Sequence, residues 1–323
     1  MPEIEARNEE IGHLQRPIAF QFPGQGSQFV GMGRKLAEAY VTAREVFQES
    51  NDVLDIPLTK ICWEGPEDEL VATENAQPAL LTHSTAVARV MAEHGMSPSW
   101  AAGHSLGEFS AHVVAGSLSF ADGVRLVRAR GEAMAEAGRR TPGAMAAIIG
   151  LEDAEVEALC SELGGTDEIL APANYNSPGQ VVISGTRTSV RRAMDEARSR
   201  GARRAVELPV SGAFHSPLMA PATEALARAL DAVEIREARI PVVANVDALP
   251  VRSPAEIRRR LHDQLTSPVR WMDCVKALAG LGARFFVEPG PGAVLTGLLR
   301  RIDRGLEGRS VGEPDEIREV VNG

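Results

Sequence analysis

The sequence predicts an α/β chain in which a mostly parallel sheet is interrupted by a small β-α-β-β-α-β unit. Short apolar runs stop at glycine-rich turns and lead into helices, as in "PIAFQF" before Pro23-Gly24 and "SWAAG" before "HSLGEF". That is the rhythm of parallel strands joined by helical crossovers. Near "RRTPGAM" (139–145) the pattern changes to shorter strands and helices. With 323 residues, 44% hydrophobic and 24% charged, the chain has room for a large core and more than one unit.

Residues 1–16 are polar and charged, so a mobile N-terminal tail, partly helical, is expected rather than a signal peptide or an anchor. "PIAFQF" is a buried strand and "SQFVGMGRKLAEAY" turns helical, with further helices over 41–96. "SWAAGHS" is a second buried strand, and "LGEFSAHVVAG" and "ADGVRLVRARGEAMAEAG" are two helices. Then follow strand "AMAAIIG", helix "DAEVEALCSEL", strands "ILAPANYNS" and "QVVISG" around Ser-Pro-Gly, helix "RTSVRRAMDEARSRG" and strand "RRAVELP". This order is that of a ferredoxin-like subdomain, assigned to 141–208. Helices resume after "VSGAFHSPLM", "RIPVVANV" and "RFFVEPGPG" are strands, and 311–323 is a polar C-terminal tail. The large domain thus comprises 17–140 and 209–310.

A formal charge of −10 argues against a general nucleic-acid binder. Cys62, Cys160 and Cys274 lie too far apart for a metal or disulfide framework, which points to a reduced, cytoplasmic setting. No apolar run approaches the roughly 20 residues of a membrane span.

"GHSLGEFSA" (103–111) carries the chemistry. G-x-S-x-G is a nucleophile elbow, in which glycines let strand and helix approach while the serine, here Ser105, stands exposed beside the helix N-terminus. Alone the pattern is weak. "FPGQGSQFVGMG" (22–33) fails as a phosphate loop, because Phe29 replaces a fingerprint glycine and Met32-Gly33 replaces Lys-Ser/Thr. Its glycines bring backbone close to something after the first strand; Gln25 is placed to donate an oxyanion N–H, and a plain turn is the alternative.

A serine needs a base. His13 is in the tail, His83, His94, His112 and His262 lie in helices, and His104 should point away from Ser105 at a sharp turn. His215 lies in a glycine-containing loop from which it could reach a cleft between the two units, although a loop histidine taken singly is more often not catalytic. Arg130 lies in a helix whose arginines, Arg125 and Arg128 among them, are ordinarily solvated. Directed inward, it would offer a fork for a carboxylate, and spacing leaves both open.

"FPGQGSQFVGMG", "GHSLGEFSA", "RLVRARG", "ANYNSPGQVVISG", "GAFHSPLM", "QLTSPVRW" and "EPGPGAVLTGLL", in this order, resemble the malonyl-CoA:acyl carrier protein transacylase family, which includes the acyltransferase domains of polyketide synthases. The likeness spans nearly the whole chain. It implies an α/β-hydrolase-like large domain with an inserted ferredoxin-like subdomain. It puts the nucleophile at Ser105, the base at His215, a histidine-orienting carbonyl at Gln264, oxyanion N–H groups at Gln25 and Leu106, and a carboxylate-gripping cation at Arg130. "GAFH", with Gly212 and Phe214 as specificity positions, and Leu106 resemble malonyl-selecting members. Gly212 departs from the histidine common in polyketide malonyl domains.

The resemblance implies ping-pong transfer of malonyl from malonyl-CoA to the phosphopantetheine thiol of an acyl carrier protein, in fatty acid or polyketide synthesis. It implies a monomer with no metal and no redox cofactor. An acidic carrier would need a local basic patch, for which "ARSRGARR" and "LLRR" are candidates. An acyl hydrolase of the same fold, clearing stalled acyl groups, is the alternative; Arg130 argues against it, since monocarboxylic chains give a buried cation nothing to meet. An idle carrier-binding scaffold is excluded if an acyl-enzyme forms.

Overall fold

Ile18–Phe22 (β1) is apolar at nearly every position and buried along its whole length, as a central strand covered on both faces must be. Trp100–Gly103 (β2) and the later strands β9 (Phe285–Pro289) and β10 (Glu307–Val311) run parallel to it. The computed structural model describes residues 17–322. Six strands form the large sheet in the order β10-β9-β1-β2-β7-β8, where β7 is Val242–Val243 and β8 is Pro250–Val251. Only the β7/β8 pair is antiparallel. The molecule is a mixed α/β fold with a parallel-rich sheet. Long helices Thr73–Glu93 and Phe120–Arg140 pack on one another beside it.

β3 (Gly143–Ile149), β4 (Leu170–Ser177), β5 (Gln180–Thr186) and β6 (Arg204–Glu207) form a second sheet, ordered β4-β5-β3-β6 and antiparallel throughout. Helices Asp153–Leu163 and Arg187–Ser199 separate its strands in sequence. Side chains alternate across it. Ala146, Ile148, Val181 and Ile183 pack with Val156, Leu159 and Val190 of the helices. Met145, Ala147 and Val182 join the main core on the opposite face. Tyr175 N–H donates to Val269 O at 2.9 Å, tying β4 to the large sheet's side of the molecule.

Two expectations are corrected, and one falls outside what is described. The polar tail expected at 311–323 is not one over its described residues, 311–322: Val311 closes β10, and Pro314–Asn322 is a helix. Pro314 opens it, Glu316 accepts the N–H groups of Gly312 and Glu313 through Oε2, and Ile317 is buried. Its apolar residues, Ile317, Val320 and Val321, fall at helical spacing beneath polar neighbours, which masks them in a composition count. "RIPVVANV" yields only the two-residue β7, because the chain turns back so that Ala244 N–H meets Leu249 O. The expected tail at 1–16 lies outside the described residues.

Candidate active site

Ser105 stands where β2 ends and helix Leu106–Val114 begins, with φ 51° and ψ −104°. A left-handed φ is costly for a residue with a Cβ and persists only when its surroundings impose it. Here they do. A Cβ on Gly103 would lie 1.9 Å from Gly107 C, and one on Gly107 would lie 2.0 Å from Phe22 O, so only glycines allow this approach of strand and helix. Asn245, just after β7, clamps both sides of the turn: its Oδ1 accepts Ser105 N–H at 2.8 Å and its Nδ2 donates to Gly103 O at 2.8 Å.

His215 Nε2 lies 2.7 Å from Ser105 Oγ, and His215 Nδ1 lies 3.0 Å from Gln264 O. A carbonyl can only accept, so Nδ1 carries the proton and Nε2 is free to accept one from the serine. Burial first, then the Arg130 charge, push the imidazole down to about 3, so it rests neutral. His215 is itself held at φ 56°.

Arg130 is 1% exposed. Its Nη1 donates to Gln77 Oε1 at 2.7 Å, and its Nη2 to Ser105 Oγ at 3.0 Å and Gln264 Oε1 at 2.9 Å. The guanidinium lies 5.2 Å from the centre of the Phe109 ring, a cation–π distance. Burial lowers its pKa to about 10, which leaves it charged at neutral pH. Nε is buried without a partner. A fixed cation thus stands beside the serine hydroxyl with donor capacity unused.

Ser105, His215 and Arg130 open onto one cavity of about 800 Å³, which Gln25, Leu106 and Phe214 also line. Gly24 brings Gln25 there, since a Cβ on it would lie 2.5 Å from His104 O. Gly212 is not among the lining residues; it backs Phe214, whose ring would stand 3.1 Å from a Cβ at position 212. Glu67, Asp68 and Val71 border the cavity on one side, Leu208, Pro209 and Val210 on another.

The other histidines with a hydrogen-bond partner near the core do not reach the Ser105 hydroxyl. His104 also lines the cavity, but its Nε2 lies 2.9 Å from Asn176 Oδ1. His83 is buried with its Nε2 3.0 Å from Gly312 O, and His112 with its Nδ1 2.9 Å from Ser117 Oγ. Arg125 is exposed, but Arg128 is not simply solvated. It bridges to Glu74 O, Asn75 Oδ1 and Glu132. Sequence reasoning missed Asn245, Gln77 and Glu108. Only Glu108 carried a signal, a carboxylate three residues after Ser105 on a largely apolar helix.

A residue from each basic segment lies at the same end of the small sheet. Ile149 pairs with both Gln180 and Arg204, and Arg301 Nη1 donates to Gln180 Oε1 at 2.7 Å. No helix among the described residues is long and apolar enough to cross a membrane.

The acyl transferase domain family matches residues 19–313. The malonyl CoA-acyl carrier protein transacylase of Bacillus subtilis is 46% identical over 304 residues, covering 94% of this chain and 96% of that protein. The protein of the same name from Escherichia coli K12 is 45% identical, covering 93% and 97%. The crystal structure of the malonyl-CoA:acyl carrier protein transacylase of Xanthomonas oryzae aligns with TM-score 0.92 at 44% identity, covering 95% and 98%. A malonyl-transacylase solved in complex with a type II polyketide synthase acyl carrier protein aligns with TM-score 0.91 at 42% identity, covering 95% and 99%.

Proposed function

This chain belongs to the acyl transferase domain family, and on that premise we propose that it transfers malonyl from malonyl-CoA to the phosphopantetheine thiol of an acyl carrier protein through a malonyl-Ser105 ester. The observation that carries the proposal is Ser105 Oγ set between His215 Nε2 at 2.7 Å and Arg130 Nη2 at 3.0 Å. A base and a buried cation on one hydroxyl suit a substrate with a thioester at one end and a carboxylate at the other.

In the first half-reaction His215 takes the Ser105 proton as Oγ attacks the thioester carbon. The N–H groups of Gln25 and Leu106 receive the oxyanion; removing one such donor typically slows turnover by about 10²–10³-fold. Arg130 releases Oγ to pair with the free carboxylate, fixing the acyl group in register. His215 then protonates the departing CoA thiolate. In the second half the carrier's thiol attacks the ester and His215 serves again, giving a ping-pong cycle that needs no metal or redox cofactor. Phe214, backed by Gly212, shapes the pocket around a small acyl group.

We assign residues 17–140 and 209–310 to an α/β-hydrolase-like catalytic domain and 141–208 to a ferredoxin-like subdomain, acting as a cytoplasmic monomer. The cavity lies between groups from both. Arg204 and Arg301, at one end of the small sheet, supply positive charge for an acidic carrier. The experiment is intact-mass measurement after mixing with malonyl-CoA. The parent should gain one malonyl group that maps to Ser105, and Ser105→Ala should gain none. A stable adduct on the Ala variant overturns the assignment.

A further inference from the structure

Glu108 is fully buried, three residues beyond the nucleophile. Its Oε2 accepts the main-chain N–H of Asn245 at 3.0 Å and Gln264 Nε2 at 2.7 Å. Its Oε1 is buried with no partner. The Gln264 amide is therefore held by opposite charges at its two ends: Nε2 faces the Glu108 carboxylate, and Oε1 accepts from Arg130 Nη2 at 2.9 Å. A single amide separates a buried anion from a buried cation.

The other groups facing Glu108 do not offset it. Asp247, in the turn after β7, is paired with Arg260 at 2.9 Å. Cys274, on helix Trp271–Gly280, has its thiol pushed well above the ordinary range by burial and stays protonated. His215 rests neutral. Glu108 and Arg130 thus balance one another in the free protein. A dicarboxylic acyl group on Ser105 brings a second anion to the same cation, and an uncompensated buried charge is what a protein interior tolerates least.

We propose that Glu108 is the resident counter-ion of Arg130 and takes up one proton from solvent when the acyl carboxylate pairs with that arginine. The inference rests on the malonyl assignment above. Burial already raises the Glu108 carboxyl to about 7, against hydrogen bonds from Asn245 and Gln264 and the Arg130 charge, which pull it down. Pairing Arg130 with a carboxylate weakens that last pull and drives Glu108 to its neutral form. The acylation itself consumes no proton: the Oγ–C bond forms, the C–S bond breaks, and the serine proton passes through His215 to the CoA thiol. Any net uptake therefore belongs to the site, and above Glu108's own titration malonyl-ester formation should weaken by up to about tenfold per pH unit.

The test mixes the parent and Glu108→Gln with stoichiometric malonyl-CoA, and separately with acetyl-CoA, in weak buffer at about pH 8, a unit above the Glu108 titration, with an indicator dye. Signals are corrected for ionisation of the released CoA thiol, and ester is quantified by mass. The expected result is about one proton taken up per malonyl ester in the parent, none per acetyl ester, and none in Glu108→Gln. If the variant does not fold, the malonyl–acetyl difference in the parent decides alone. Malonyl ester without proton uptake, or uptake that persists in Glu108→Gln, overturns the inference and leaves the transferase standing. Failure to form any malonyl ester overturns both.

Discussion

Arg130 shows how a side chain's surroundings, rather than its type, set its role. Arg125, on the same helix, is exposed and pairs with Asp122 at 3.4 Å, as most helical arginines do at little gain. Arg130 is three residues after Val127 and four before Met134, both buried, so helical spacing places it on their face. The spacing was in the sequence, but it left open whether the residue turns inward or is solvated, and it says nothing of what the residue meets. Gln77 and Gln264, which hold the guanidinium, lie 53 and 134 residues away. Removing one partner of a desolvated charge pair costs roughly 3–5 kcal/mol. Arg130→Ala should therefore lower kcat/KM for malonyl-CoA by roughly 10²–10⁴-fold. Acetyl-CoA turnover should hold or rise, because that substrate brings no charge to the arginine. Arg130→Lys should recover part of the loss, keeping the charge without the fork. Equal losses for both thioesters would make Arg130 a structural residue.

The strand–turn–helix element around Ser105 was legible because glycine spacing reports close approach. Gly103 and Gly107 both stand where a methyl group would overlap backbone. Asn245 was not legible, although it fixes the same turn, because its two hydrogen bonds span about 140 residues of chain. The strand that precedes it, β7, is only two residues long. Gly107→Ala should destabilise the fold by more than about 3 kcal/mol, since its methyl would meet Phe22 O and that carbonyl belongs to the central strand. Gly297→Ala provides the contrast. Gly297 also lies in a helix, Val294–Ile302, but a Cβ there meets nothing within 4 Å. It should be stabilising by up to about 1 kcal/mol through helix propensity. Thermal unfolding of both variants checks the pair, and similar behaviour would mean that close approach is not what Gly107 provides.

The molecule as a whole brings two sheets together at one cavity, and the parallel rhythm and the β-α-β-β-α-β order both follow from local patterns. What local patterns lack is the long-range partner. The C-terminal segment looked like a tail because its buried residues are few and widely spaced, and β10 finds its place only beside β9. The basic segments remain solvated faces, with Arg204 and Arg301 exposed. Only the Arg301–Gln180 contact, 121 residues apart in the chain, shows that they lie at the same end of the small sheet. The central claim is that the malonyl group passes through serine to a carrier's thiol rather than to water. It is tested by charging the parent protein with labelled malonyl-CoA, removing CoA, and dividing the ester between buffer and buffer with an acyl carrier protein bearing phosphopantetheine. The expected result is rapid loss of label to the carrier's thiol and slow loss in buffer alone. Release as free malonate at the same rate with and without carrier would contradict it and make the protein a hydrolase.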